Sequence, residues 1–341
     1  MAKRRLDFRV FLTWLMAVLL AALMGYGIYT VIINGDHRPL KNADIPQSTI
    51  DWFNGLIDGG SDIGGELGPD SSDSLDWQDY GGDEDLLKLE DEYFVIFYSS
   101  KDSVVQRNKA LVCQRYAHEA LPKADLFMKG YPYPSKMNGR KLPIYLGRNM
   151  AHYKDISKKI AGYTPGAGTV GFFSFYYGAA GLYTKGIFIS PATWDTPDFM
   201  IDENTKDLGL KATLWHEMNH YMFFANWNCF QASTPNLWFT EGLAEYFSEF
   251  YKRLHMVGNH KKYSLEDDFC DGNAEYWVGF SAFLCMEKNF GISKISDVVE
   301  QTYQNSVNKA VSLVIPNYNL AQWNDQWHTF MENKEYRKYM R

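Results

Sequence analysis

The chain has 341 residues, 46% of them hydrophobic and 16% aromatic, with a formal net charge of -7 at pH 7. That length holds one substantial domain with extensions and falls short of three, and the aromatic excess favours a packed core over disorder. A net negative chain without a basic stripe excludes nucleic acid as a partner, because a phosphate backbone must be met by a basic surface.

Taken in chain order, the first feature is the run from Val10 to Ile33, 24 residues without a charge. As a helix it would span about 36 Å, more than the ~30 Å hydrocarbon layer, and so predicts one transmembrane helix. Lys3, Arg4, Arg5 and Arg9 precede the run and only Arg38 and Lys41 follow it closely. The positive-inside bias then places residues 1–9 in the cytoplasm as a basic tail and the rest outside, as a single-pass protein of the cell membrane. A cleaved signal peptide would need a shorter apolar core and a small-residue cleavage site, where this chain has Tyr26, Tyr29 and Ile33. Between Lys41 and Lys88 there is no Lys, Arg or His, while Asp, Glu, Gly and Ser accumulate, so residues 34–89 read as an extended acidic spacer. The EF-hand spacing of oxygen ligands is absent from it.

The folded domain is expected over 90–341. Tyr93 to Tyr98, YFVIFY, reads as a buried strand. A helical stretch, Ser103 to Met128, precedes a second strand at Leu142 to Leu146. The glycine- and aromatic-rich segments 169–177 and 181–190 look like a hairpin with a Lys185-Gly186 turn. From about Leu208 the apolar spacing turns helical and stays so, and strands first with helices afterward indicate an α+β domain. Cys113, Cys229, Cys270 and Cys285 form no C-x-x-C pair, which argues against a zinc ribbon or a thioredoxin-like redox site. In an oxidising compartment they could make up to two disulfides, with three pairings open, or some could serve as small buried hydrophobes.

Leu214 to Tyr221 reads LWHEMNHY. His216 and His220, four apart, project from one helix face about a turn apart, a spacing that lets two imidazoles reach one zinc while Glu217 faces water on the metal. HExxH also arises by accident, so a second element is needed. It follows as PNLWFTEGLAEY, Pro235 to Tyr246, with twenty residues between His220 and Glu241, and there Glu241 and Glu245 share a face of another helical stretch. Two acids turned the same way on an aromatic helix repel unless a cation sits near them. A single Zn2+ supplies it, with Glu241 as third protein ligand and Glu245 orienting a ligand imidazole, His216 by preference. Three ligands beside a carboxylate leave a position for water, unlike structural zinc sites, which close the shell with four ligands. His118, His152, His255, His260 and His328 have no ligand-like spacing.

Over His216 to Phe247 the sequence resembles the gluzincin metallopeptidases, more narrowly the peptidase MA-like group, whose HExxH helix is followed by a proline, a tryptophan and an EGLAEY-type helix. The resemblance implies a thermolysin-like domain: a small N-terminal sheet over the HExxH helix and a helical C-terminal lobe. Tyr276-Trp277-Val278-Gly279 resembles the Y-x-x-G of the related M1 aminopeptidases, which implies an oxyanion-stabilising role for Tyr276. Leu320 to Trp327 is similar to the closing tryptophan helix of such domains. Metzincins are excluded, since Phe223 and Asn226 stand where Gly and His are required. The implied activity is zinc-dependent hydrolysis of peptide bonds in a peptide or protein substrate, with Glu217 as general base. No counterpart of the amine-reading G-x-M-E-N loop occurs near Gly178 to Ser190, which favours an endopeptidase. The alternative is an extracytoplasmic binding or adhesion module carrying a structural or relic zinc site.

Overall fold

The computed structural model describes residues 86–129, 141–166, 168–178, 181–195, 208–227, 234–249, 251–271 and 273–340. They belong to one unit, Asp83–Arg341. Its first half is a five-stranded sheet: β1 (Leu86–Glu90), β2 (Phe94–Ser99), β3 (Leu142–Leu146), β4 (Gly171–Gly178) and β5 (Gly181–Ile189), in the order β1-β2-β3-β5-β4. Helix α1 (Ser103–Met128) links β2 to β3, and α2 (Met150–Ile156) continues into a π-helical turn, Ser157–Ala161, on the way to β4. A short α3 (Ala192–Asp195) follows β5. The remainder is helical: α4 (Leu208–Asn226), α5 (Leu237–Ser248), α6 (Ala274–Phe290), α7 (Ile292–Thr302), α8 (Val307–Val314) and α9 (Leu320–Glu332), with three short 3-10 segments.

The sheet holds together through aligned rings and branched side chains on its two faces. Phe97 lies opposite Tyr145, Tyr145 opposite Phe188, and Phe188 opposite Phe172. Their rings stack at centroid distances of 4.9, 4.7 and 4.7 Å. Because side chains alternate across a strand, the neighbours Ile96, Ile144, Ile187 and Phe173 share the other face, and there Phe173 meets Tyr221 of α4. In the helical half four buried indoles are anchored by their N–H groups. Trp215 donates to the Tyr116 carbonyl, Trp238 to Leu265, Trp323 to Ala282, and Trp327 to the Ser281 hydroxyl.

Three sequence expectations are corrected. The α+β class gives way to a mixed sheet, since β2 pairs parallel with β3, and β3 with β5. A parallel pair needs a crossover, and α1 supplies it between β2 and β3, a topology that strand spacing alone does not disclose. Second, the transmembrane helix expected in the fold is not supported: among the described residues no helix is long and apolar enough to cross a membrane. The longest, α1, spaces Arg107, Lys109, Arg115, Glu119, Lys123 and Asp125 along its length, and α4 carries Lys211, His216, Glu217 and His220. The single-pass cell-membrane localisation, which rested on the same helix, is likewise not supported. The 10–33 segment on which both rested, the spacer up to residue 85 and Cys229 lie outside the described residues. Third, Lys185-Gly186 is no turn. Gly178 faces Gly181, so the hairpin reverses between them, and Gly186 lies inside β5 beside the register shift at Ser174/Phe175. Its φ of +135° suits glycine, and an added Cβ would sit 2.8 Å from the Pro143 carbonyl and from the Tyr145 ring. Strand β1, moreover, occupies the end of the stretch that composition assigns to the spacer. Among the described cysteines, Cys113, Cys270 and Cys285 are free.

Candidate metal centre

Helix α4 presents His216 and His220 with ring centroids 4.7 Å apart, nearly perpendicular. The first turn and a half of α5 brings Glu241 opposite them. His216 Nε2 lies 3.0 Å from His220 Nε2 and 3.1 Å from Glu241 Oε2, and His220 Nε2 lies 3.4 Å from the same oxygen. These three residues form a group that could hold a metal ion. Bonds of ~2.0–2.1 Å from a tetrahedral ion imply ligand-to-ligand edges of about 3.3 Å, and the three distances bracket that value. The donor set fits too: imidazole nitrogen suits zinc and its neighbours in the first transition row, and not calcium or magnesium.

Glu245, one turn beyond Glu241 and 2% exposed, places Oε1 3.4 Å from His216 Nδ1. An imidazole whose Nδ1–H faces a carboxylate leaves Nε2 as the lone-pair nitrogen turned toward the metal position. Burial opposes a charge on His216, but its contacts with Glu241 and Glu245 and the charge of Glu217 outweigh burial and push the imidazole up to about 10. For Glu241 burial acts upward, yet the two imidazoles hold the carboxyl far below the usual carboxylate range.

Glu217 is 7% exposed and lies beside β4, whose Phe173 backbone N–H favours the charged carboxylate. Burial raises its pKa, as does Glu241, against the lowering pull of His216 and His220. A carboxylate displaced upward in this way is better suited to taking and returning a proton than an ordinary surface glutamate. Gly171 is what lets β4 come so close. A Cβ there would stand 2.5 Å from Thr213 Cγ2 and 3.4 Å from Glu217 Oε1.

Tyr276, near the start of α6, reaches the same place: its ring centroid is 5.9 Å from that of His216. The charge of Glu241, then burial, then Glu275, Glu245 and Glu217 hold its hydroxyl well above the usual phenol range, so it stays a proton donor. The structure thus brings together His216, Glu217, His220, Glu241, Glu245 and Tyr276. Of the other histidines, His118 lies against Asp91, while His260 and His328 neighbour each other at 5.8 Å. Sequence reasoning missed Gly171 and the Phe173 backbone N–H. A main-chain donor has no signature in residue type, and Gly171 reads like any strand-start glycine.

No known protein-family model matches the chain, and no curated protein matches it. The resemblance to gluzincins therefore rests on the quoted residues alone.

Proposed function

We propose that the chain is a zinc-dependent peptidase in which His216, His220 and Glu241 hold one Zn2+ and Glu217 moves the protons. The observation that carries this reading is the convergence of three ligand atoms at 3.0 to 3.4 Å with a buried carboxylate beside them, at a spacing that leaves a fourth position for water. When bound, zinc supplies Lewis acidity and makes water a nucleophile near neutral pH. Glu217 takes the proton of the attacking water as its oxygen bonds to the scissile carbonyl carbon, then delivers it to the amine nitrogen as the C–N bond breaks. Tyr276 donates to the oxyanion formed on the carbonyl oxygen. Peptide is the preferred substrate class because β4 ends the sheet beside Glu217, where an extended chain can lie along its edge, and because EGLAEY after HExxH resembles peptidases. The missing amine-reading loop favours cleavage within chains.

Profiling the purified protein against a peptide library tests this. Cleavage is expected to vanish with a chelator and return on adding zinc at about one per chain. Cleavage indifferent to the chelator, or none from zinc-loaded protein, would overturn it.

A further inference from the structure

Helices α5 and α6 approach each other more closely than side chains permit at one point, and glycine occupies both sides of it. A Cβ added to Gly242 would lie 2.2 Å from the Gly279 Cα, and one added to Gly279 would lie 1.9 Å from the Trp238 carbonyl oxygen and 2.5 Å from the Gly242 Cα. Farther along the same helix pair large rings fill the gap, with Phe283 packed on Phe239 at 5.2 Å and on Tyr246 at 5.7 Å. The backbone contact between Gly242 and Gly279 thus lies within about one turn of Glu241 and Tyr276, beside the metal centre. Glu241 directly precedes Gly242, and Tyr276 lies about one turn before Gly279, on the helix that Gly279 seats. Nothing in holding a metal requires this, because both histidines come from α4 and Glu241 from α5. What α6 adds is Tyr276.

We infer that Gly242 and Gly279 form a positioning contact that draws α6 onto α5 and so sets the Tyr276 hydroxyl against the metal centre. The inference rests on the peptidase reading above, and on the donor role it gives Tyr276. An alanine at 279 must retreat by roughly 1.5 Å to pass from 1.9 Å to an ordinary 3.4 Å contact, carrying Tyr276 away while His216, His220 and Glu241 keep their mutual distances.

The test is a double-mutant cycle on the full chain with Gly279→Ala and Tyr276→Phe, joined by a readout of position. Each single variant is expected to keep its zinc and lose kcat, roughly 10 to 10²-fold for Gly279→Ala and on the order of 10²-fold for Tyr276→Phe. The double variant is expected to be no worse than Tyr276→Phe alone, because the glycine acts only through the tyrosine. In protein labelled with 3-fluorotyrosine and loaded with Co2+, the ¹⁹F resonance that Tyr276→Phe removes should move in Gly279→Ala. If Gly279→Ala does not fold, Phe283→Trp, which overpacks the same helix pair one turn on, takes its place with the same expectations. Losses that multiply, or a resonance that stays in place, overturn the positioning role. If wild-type protein binds Co2+ and shows the resonance yet cleaves no peptide, the peptidase reading fails while the resonance still judges the contact.

Discussion

His216 meets a different carboxylate at each of its ring nitrogens. Nδ1 faces Glu245 and Nε2 faces Glu241, so in metal-free protein a proton on this ring stands where the ion's charge would otherwise be. Its pKa, about 10 against 6.5 ordinarily, is raised in the fold. The clamp therefore stabilises metal-free protein fully below about pH 6.5 and loses its contribution as pH rises through about 10. A metal ion bound there would have to displace that proton, since only neutral imidazole binds metal. Calorimetry at pH 7 in two buffers of different ionisation enthalpy is expected to show roughly one proton released per zinc bound. Glu245→Ala removes half of the clamp and should lower both the proton release and, by about 10 to 100-fold, the affinity. Zinc binding without proton release would show that His216 is neutral beforehand.

At the scale of elements, the turn between β1 and β2 is tied to α1 by one side chain. Asp91 accepts from the Tyr93 and Phe94 backbone N–H groups at 2.8 and 2.9 Å and from the Gln114 amide at 2.6 Å, and its Oδ2 lies 2.8 Å from His118 Nε2. Burial raises its pKa, but His118, the two N–H groups and Gln114 together bring it below the usual value. A depressed carboxyl stabilises above its unfolded pKa of about 3.9 and ceases to as pH falls through the folded value. Asp91→Ala is thus expected to cost about 1–3 kcal/mol in urea unfolding at pH 7, with a smaller deficit near pH 3. An equal deficit at both would mean the loss is one of packing. This tie was not legible in the sequence, whereas the elements it joins were. YFVIFY and the helical spacing of 103–128 announce their period within one window, as does LWHEMNHY. Strand β1 hid in LLKLE, whose alternation is masked by the acids around it and acquires meaning only through pairing with β2. Gly186 misled because glycine at positive φ serves bulges as well as turns. Sheet order could not be read, since it depends on which distant strands meet.

Across the whole molecule, four elements meet at one place: α4 with both histidines and Glu217, α5 with Glu241 and Glu245, α6 with Tyr276, and the β4 edge with the Phe173 N–H. The residues were legible because each lies within one turn of a partner in its own helix. Their convergence with β4 was not, as it depends on a main-chain group and on an unfilled space at Gly171. The central claim gives Glu217 and Glu241 different tasks although they carry the same functional group. Zinc content and turnover of Glu217→Gln, measured together, test this most directly. The substitution keeps shape and leaves all three ligands in place. About one zinc per chain is expected, with peptide turnover lowered roughly 10² to 10⁴-fold. Full turnover with zinc in place would contradict the account, as would a variant that had lost its zinc.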